Sequence, residues 1–233
     1  MIRKSSSKKS TAIKICGLTK TSQARSIAEL KINAIGVIGV KNSPRFVPEE
    51  ECMKIFNEVE KVSSSIEKVL VIANETLEEV KCINSRSTPP SVIQLHGNES
   101  VDYCRELKNE FPAIKIWKAF RLKAINDLEN ISQYEKNIDA ILIDAWDEKS
   151  LGGTGNRVPI ELLLNKTFKA PWILAGGISA EIIPEIFSTG AFKESASASW
   201  FSSTTLASAI ASSSSAFLSA GILSPNSPIC FSD

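Results

Sequence analysis

A parallel α/β fold closed into a (β/α)8 TIM barrel, with its eighth βα unit missing or aberrant, is what this sequence predicts. Three observations lead there. Seven short apolar runs rich in β-branched residues recur along the chain, and amphipathic segments of helical length separate them. The runs are apolar throughout rather than alternating, as strands of a sheet covered on both faces must be. The length of 233 residues suits a single barrel domain, which commonly needs about 200–250 residues.

Taken in order, the strand candidates are Ile13 to Cys16, Ala34 to Val40, Ile66 to Ala73, Ser91 to Leu95, Ile114 to Phe120, Ala140 to Ala145 and Pro171 to Gly177. Between them the spacing predicts helices over Ser22 to Lys31, Pro48 to Val59, Thr76 to Ile83, Glu99 to Glu110, Ala124 to Tyr134 and Ala180 to Phe187. The first places Ala24, Ile27, Ala28 and Leu30 along one side. Pro48 ahead of two glutamates suits a first helical turn, and Asn98 followed by Glu99 suits a cap with a favourable dipole charge. Seven strands found in register call for an eighth, which favours a closed barrel over an open doubly wound sheet.

The pattern breaks after Phe187. Residues 188–233 are rich in serine and alanine and nearly free of charge, unlike everything before them. Leu206 to Ala211 and Ala216 to Ala220 have helical composition without a charged face. The nearest eighth-strand candidate, Ala191 to Phe201, is poor in β-branched residues. A barrel without that strand would leave two open sheet edges with unpaired backbone groups. Three regions are therefore expected: a flexible basic tail over 1–11, seven βα units over 12–187, and an atypical segment over 188–233.

Composition narrows the function. A net charge of +1 gives no global field for nucleic acid or an anionic membrane. No apolar run is long enough to span a bilayer. The basic, serine-rich start has no apolar stretch behind it, so it reads as a solvated tail rather than a secretory signal. The five cysteines, Cys16, Cys52, Cys82, Cys104 and Cys230, lack metal-type spacing, and a single histidine leaves little material for zinc. Reduced thiols in the cytoplasm are the simplest account. Neither metal nor cofactor is expected, and monomer and homodimer both stay open.

Six motifs add a resemblance. KICGLT (Lys14 to Thr19), SPRFV (Ser43 to Val47), QLHGNE (Gln94 to Glu99), ILIDA (Ile141 to Ala145), GGTG (Gly152 to Gly155) and LAGGI (Leu174 to Ile178) each follow or end a predicted strand. In order and spacing they resemble the phosphoribosylanthranilate isomerases, (β/α)8-barrel enzymes of tryptophan biosynthesis. The resemblance covers about Ile13 to Phe187. It implies an Amadori rearrangement of N-(5'-phosphoribosyl)anthranilate, a small phosphorylated substrate. One general base and one general acid suffice for that reaction, without redox cofactor or metal.

The resemblance puts the base on Cys16 and the acid on Asp144. A thiol with an ordinary pKa of about 8.5 needs only a modest shift to be useful near neutrality. An aspartate must be raised by burial or a neighbouring anion. Arg45 is implied to meet the substrate carboxylate with its planar fork, and His96 to line the pocket. Gly153, Gly155, Gly176 and Gly177 are implied to offer backbone N–H groups to the phosphate. Read without the motifs, Cys16 is a small buried residue, Arg45 a solvent-facing loop arginine and His96 structural, while Asp144 divides evenly between catalysis and a local cap. The family's closing segment, of the pattern G-[VI]-D-x-S-S-G-[VIL]-E, is absent, which makes a catalytically impaired family remnant the second reading. An indole-glycerol-phosphate synthase would want a lysine acid, and a ribulose-phosphate epimerase would want metal ligands. Both fit less well.

Overall fold

The computed structural model describes residues 12–122, 124–145, 163, 166–178, 183–188 and 219–223. Eight strands close into one barrel in the order β1 to β8. They are β1 (Ala12–Cys16), β2 (Ala34–Ile38), β3 (Glu67–Ile72), β4 (Val92–Leu95), β5 (Lys115–Leu122), β6 (Ala140–Ala145), β7 (Trp172–Leu174) and β8 (Ser219–Leu223). Helices α1 (Thr21–Ala28), α2 (Glu49–Val62), α3 (Leu77–Asn84), α4 (Val101–Glu110) and α5 (Ile183–Ser188) lie between strands. The stretch expected as a helix after β5 is instead a 3-10 helix, Ile125–Gln133.

From β1 to β7 every neighbouring pair is parallel, so the seven strands run from a common floor to a common mouth. The closing strand departs from that pattern. β8 is antiparallel to both β1 and β7, with Ala12 opposite Leu223 and Cys16 opposite Ser219. The eighth unit is thus aberrant, as the sequence predicts, but the expected open edges are not found: β8 hydrogen-bonds both. It lies downstream of Ala191 to Phe201, which is outside the described residues, and overlaps the end of a stretch whose composition suggested helix.

Alternation along the strands sorts the core into two layers. Ile13, Ile15, Ile35, Leu70, Ile72, Ile93 and Ile116 face outward and pack with the buried faces of the helices, among them Ile55, Phe56 and Val59 of α2. The intervening residues face the lumen. On its floor Trp117 packs with Ala12, Ala34, Val69, Val92 and Ala140. One indole among three alanines keeps that floor filled, which is how a small barrel stays solid.

Capping follows local chemistry with one difference from expectation. Thr76 caps α3, its hydroxyl accepting from Glu79 N–H while Glu79 reaches back to Thr76. For α4 the cap is Ser100, whose hydroxyl accepts from Tyr103 N–H at 3.1 Å. Asn98 and Glu99 do not cap it, because Glu99 is buried and engaged elsewhere.

Candidate active site

At the mouth the lumen changes from apolar to polar. Cys16 ends β1, and its side chain is buried beside Ile38 and Val71. Space for it exists because β2 has a glycine opposite. A Cβ on Gly36 would stand 2.5 Å from Cys16 Sγ and 3.0 Å from Lys14 Nζ. Those two atoms therefore share one small space. Lys14 is buried, and among the described residues its ammonium has no hydrogen-bond or ion-pair partner.

Arg45 reaches the same place from the loop after β2. That loop turns back on its strand: Ile38 forms a bridge with Phe46, and Val47 N–H donates to Ile38 O at 2.9 Å. Arg45 then lies across Gly17, where a Cβ would collide with the guanidinium, and its Nη1 donates to Cys16 O at 3.4 Å. A half-buried guanidinium at the barrel mouth is not the solvent-facing arginine of the default reading.

Across the lumen, β4 and β6 bring a second polar group together. Gln94, His96 and Asp144 are all buried. Gln94 Nε2 donates to His96 Nδ1 at 3.0 Å, and His96 Nε2 lies 3.4 Å from Asp144 Oδ2. Asp144 also stands opposite Arg121 in the β5–β6 register.

The loop after β4 is held from outside the sheet. Glu99 Oε1 accepts from Asn74 N–H at 2.8 Å and Gly97 N–H at 3.1 Å, and Glu99 Oε2 lies 3.1 Å from Lys118 Nζ. Lys118 in turn donates to Gly97 O and Ala119 O, both at 2.9 Å, and sits 5.3 Å from the Phe120 ring centroid. A side chain at Gly97 would crowd this loop, since a Cβ would stand 2.4 Å from Asn74 Oδ1 and 2.8 Å from Glu99 Oε1. This clasp fixes the backbone on which His96 stands.

Of the glycines expected at the phosphate, Gly176 and Gly177 follow β7 with φ of 84° and 64°, in the left-handed region that glycine tolerates. Gly153 and Gly155 lie outside the described residues. The other described cysteines offer little chemistry. Burial pushes the Cys52 thiol up to about 12 and the Cys104 thiol up to about 11, and Cys82 is exposed on α3. Among the described residues no group of acidic, histidine and cysteine side chains could hold a metal ion. No described helix is long and apolar enough to cross a membrane.

The structure thus brings Cys16, Arg45, His96 and Asp144 to the C-terminal ends of β1, β2, β4 and β6, where barrel enzymes carry their chemistry. Gln94 and Lys14 were missed as site residues by the sequence reading. Both lie inside motifs, and the signal was a polar residue in the middle of an otherwise apolar run.

The family model for N-(5'-phosphoribosyl)anthranilate (PRA) isomerase matches residues 13–195. The chain belongs to that family. It is 36% identical over 169 residues to the N-(5'-phosphoribosyl)anthranilate isomerase of Crocosphaera subtropica, covering 72% of this chain and 79% of that one. Among solved structures, the phosphoribosyl anthranilate isomerase of Thermotoga maritima superposes with a TM-score of 0.66 at 24% identity, over 76% of this chain and 82% of the other. A second isomerase structure, in complex with reduced 1-(o-carboxyphenylamino)-1-deoxyribulose 5-phosphate, gives a TM-score of 0.61 at 23% identity over 76% and 80%. These last two likenesses speak to the fold. The match of the family model ends soon after residue 187, near the change in composition.

Proposed function

We propose that this chain converts N-(5'-phosphoribosyl)anthranilate to 1-(2-carboxyphenylamino)-1-deoxyribulose 5-phosphate by an acid/base-catalysed Amadori rearrangement in tryptophan biosynthesis. The observation that carries the reading is the convergence of Cys16, Arg45, His96 and Asp144 at one barrel mouth in a member of the isomerase family.

In this reading Asp144 gives its proton to the ring oxygen of the furanosylamine. The C1–O bond breaks, its electron pair stays on that oxygen, and the nitrogen lone pair forms a C1=N bond. Cys16 as thiolate removes the proton on C2, and the C–H pair becomes C1=C2 as the nitrogen recovers its own pair. The resulting enolamine tautomerises to the ketone, the C2 hydroxyl losing a proton while C1 gains one. No electrons enter or leave, so neither redox cofactor nor metal is needed. Lys14 supplies positive charge beside Cys16, against which a thiolate or a substrate oxyanion is held. Arg45 pairs with the anthranilate carboxylate. The phosphate sits on the backbone at Gly176 and Gly177, with Gly153 and Gly155 adding donors.

Residues 12–187 carry this machinery, and residues 188–233 form an appended segment that contributes the closing strand. The reduced thiols of Cys16, Cys52, Cys82 and Cys104 suit a cytoplasmic setting. The test is fluorimetric: phosphoribosylanthranilate is generated in place and its loss is followed. Cys16→Ala and Asp144→Asn are each expected to lower kcat by about 100-fold to 10,000-fold. Undiminished turnover in either variant overturns that residue's assignment, and a folded but inactive parent chain points to the impaired remnant.

A further inference from the structure

Three buried polar side chains form a line at the mouth: Gln94 on β4, His96 just beyond it and Asp144 on β6. The first link fixes the second. Because Gln94 Nε2 donates to His96 Nδ1 at 3.0 Å, that ring nitrogen must offer a lone pair, and a neutral imidazole then carries its proton on Nε2. Nε2 is fully buried and has no hydrogen-bond partner among the described residues, yet Asp144 Oδ2 is 3.4 Å away. A buried N–H that stands 3.4 Å from a carboxyl oxygen without forming a hydrogen bond to it is the loose arrangement that tightens when substrate arrives.

We propose that Gln94 and His96 are a positioning pair for Asp144. The pair selects the Nε2–H form of the imidazole and aims it at Oδ2, so that the transferable proton of Asp144 is carried on Oδ1. As Asp144 gives up that proton, negative charge develops on the carboxylate. The His96 N–H···O contact then becomes charge-assisted and stabilises the transition state more than the ground state. His96 keeps its own proton throughout, so the step adds no proton transfer. This changes the part given to His96, from lining the pocket to holding the acid, and it gives Gln94 a part of its own. It rests on the reading of Asp144 as the general acid.

Of the charged groups nearby, Lys118 and Glu99 are committed to each other and to the backbone of the loop, while Arg121 stands opposite Asp144 in the β5–β6 register and also reaches Asn98 Oδ1 at 3.5 Å. Turning the Gln94 amide over gives the opposite outcome. Its oxygen would accept from Nδ1–H, and Nε2 would present a lone pair to Oδ2.

His96 is the single histidine of the chain, which makes the test direct. Untagged full-length protein labelled with 15N-histidine gives the nitrogen signals of one imidazole. The expected result near neutral pH is one neutral form, with the proton on Nε2. A proton on Nδ1, in either the neutral or the doubly protonated ring, overturns the proposal. Gln94→Leu is expected to lose that bias and to lower kcat by roughly 10-fold to 100-fold with KM nearly unchanged. Gln94→Glu, which replaces the donor by an acceptor, is expected to put a proton on Nδ1 with a similar loss. Full kcat in a folded Gln94→Glu protein bearing that proton, or a raised KM with unchanged kcat in Gln94→Leu, would overturn it as well. The spectrum of the parent chain reads the Gln94–His96 link without any turnover. An active Asp144→Asn variant would instead remove the acid assignment.

Discussion

Two lysines of the barrel are buried to the same degree, each 3% exposed, and live in opposite circumstances. Lys118 points outward from β5 into the layer between sheet and helices. There a carboxylate, two backbone carbonyls and an aromatic face answer its charge. Lys14 points into the lumen two residues before Cys16, and among the described residues no hydrogen bond or ion pair answers it. A buried ammonium is expensive to desolvate. Where the cost is met locally, as at Lys118, the group holds a loop. Where it is not, as at Lys14, the charge lies in the lumen close to the Cys16 thiol, the position that the proposed chemistry uses.

Substitution of the two lysines is the strongest way to break this contrast. Lys118→Met leaves Glu99 buried without its partner and should cost about 3–5 kcal/mol, read from urea unfolding. Lys14→Met removes an unanswered charge, so stability should hold or rise while turnover falls by at least about 10-fold. Equal destabilisation by the two would erase the distinction. A pair of glycines sharpens it at smaller cost. Gly97→Ala drives a methyl against Asn74 in the clasp, and an overpacking loss of about 1–3 kcal/mol should follow, with turnover affected only as far as the His96 backbone shifts. Gly36→Ala meets the movable thiol of Cys16 instead. The same methyl should therefore cost little stability there and much of the turnover. A last test concerns alkaline pH. Buried Cys52 and Cys104 hold their protons up to about 12 and about 11, against 9.0 for an ordinary thiol. The folded chain then binds more protons than the unfolded one above pH 9.0, so stability should decline as pH rises from there. A denaturant midpoint that is level between pH 8 and pH 11 would mean these thiols are less enclosed than they look.

How much of this was legible in the sequence differs by layer. The seven parallel strands were, because a strand covered on both faces must be apolar along its whole length, as AIGVI and VLVI are. Cys16, Arg45, His96 and Asp144 were legible through their motifs, each tied to a strand end. The cap of α4 was not. Glu99 next to Asn98 looks like a helix start until Lys118, nineteen residues on, takes the carboxylate away. Lys14 and Gln94 were hidden for the opposite reason: a polar residue in an apolar run has no direction until the register shows which face it takes. The last strand was the least legible. SAGIL has one β-branched residue, and its pairing with β1 and β7 comes from partners more than forty residues away.

The reversal of β8 has a consequence for traffic through the barrel. In the seven parallel strands the chain climbs towards the chemistry, so whatever follows each strand is free to become part of it. In β8 the chain descends: it meets Cys16 at Ser219 and departs beside Ala12 at Leu223. A turn placed after this strand would serve the wrong end of the molecule. Here it is the first residue of the final strand, Ser219, and not its last, Leu223, that lies level with Cys16, so this strand meets the mouth with its beginning and not with its end.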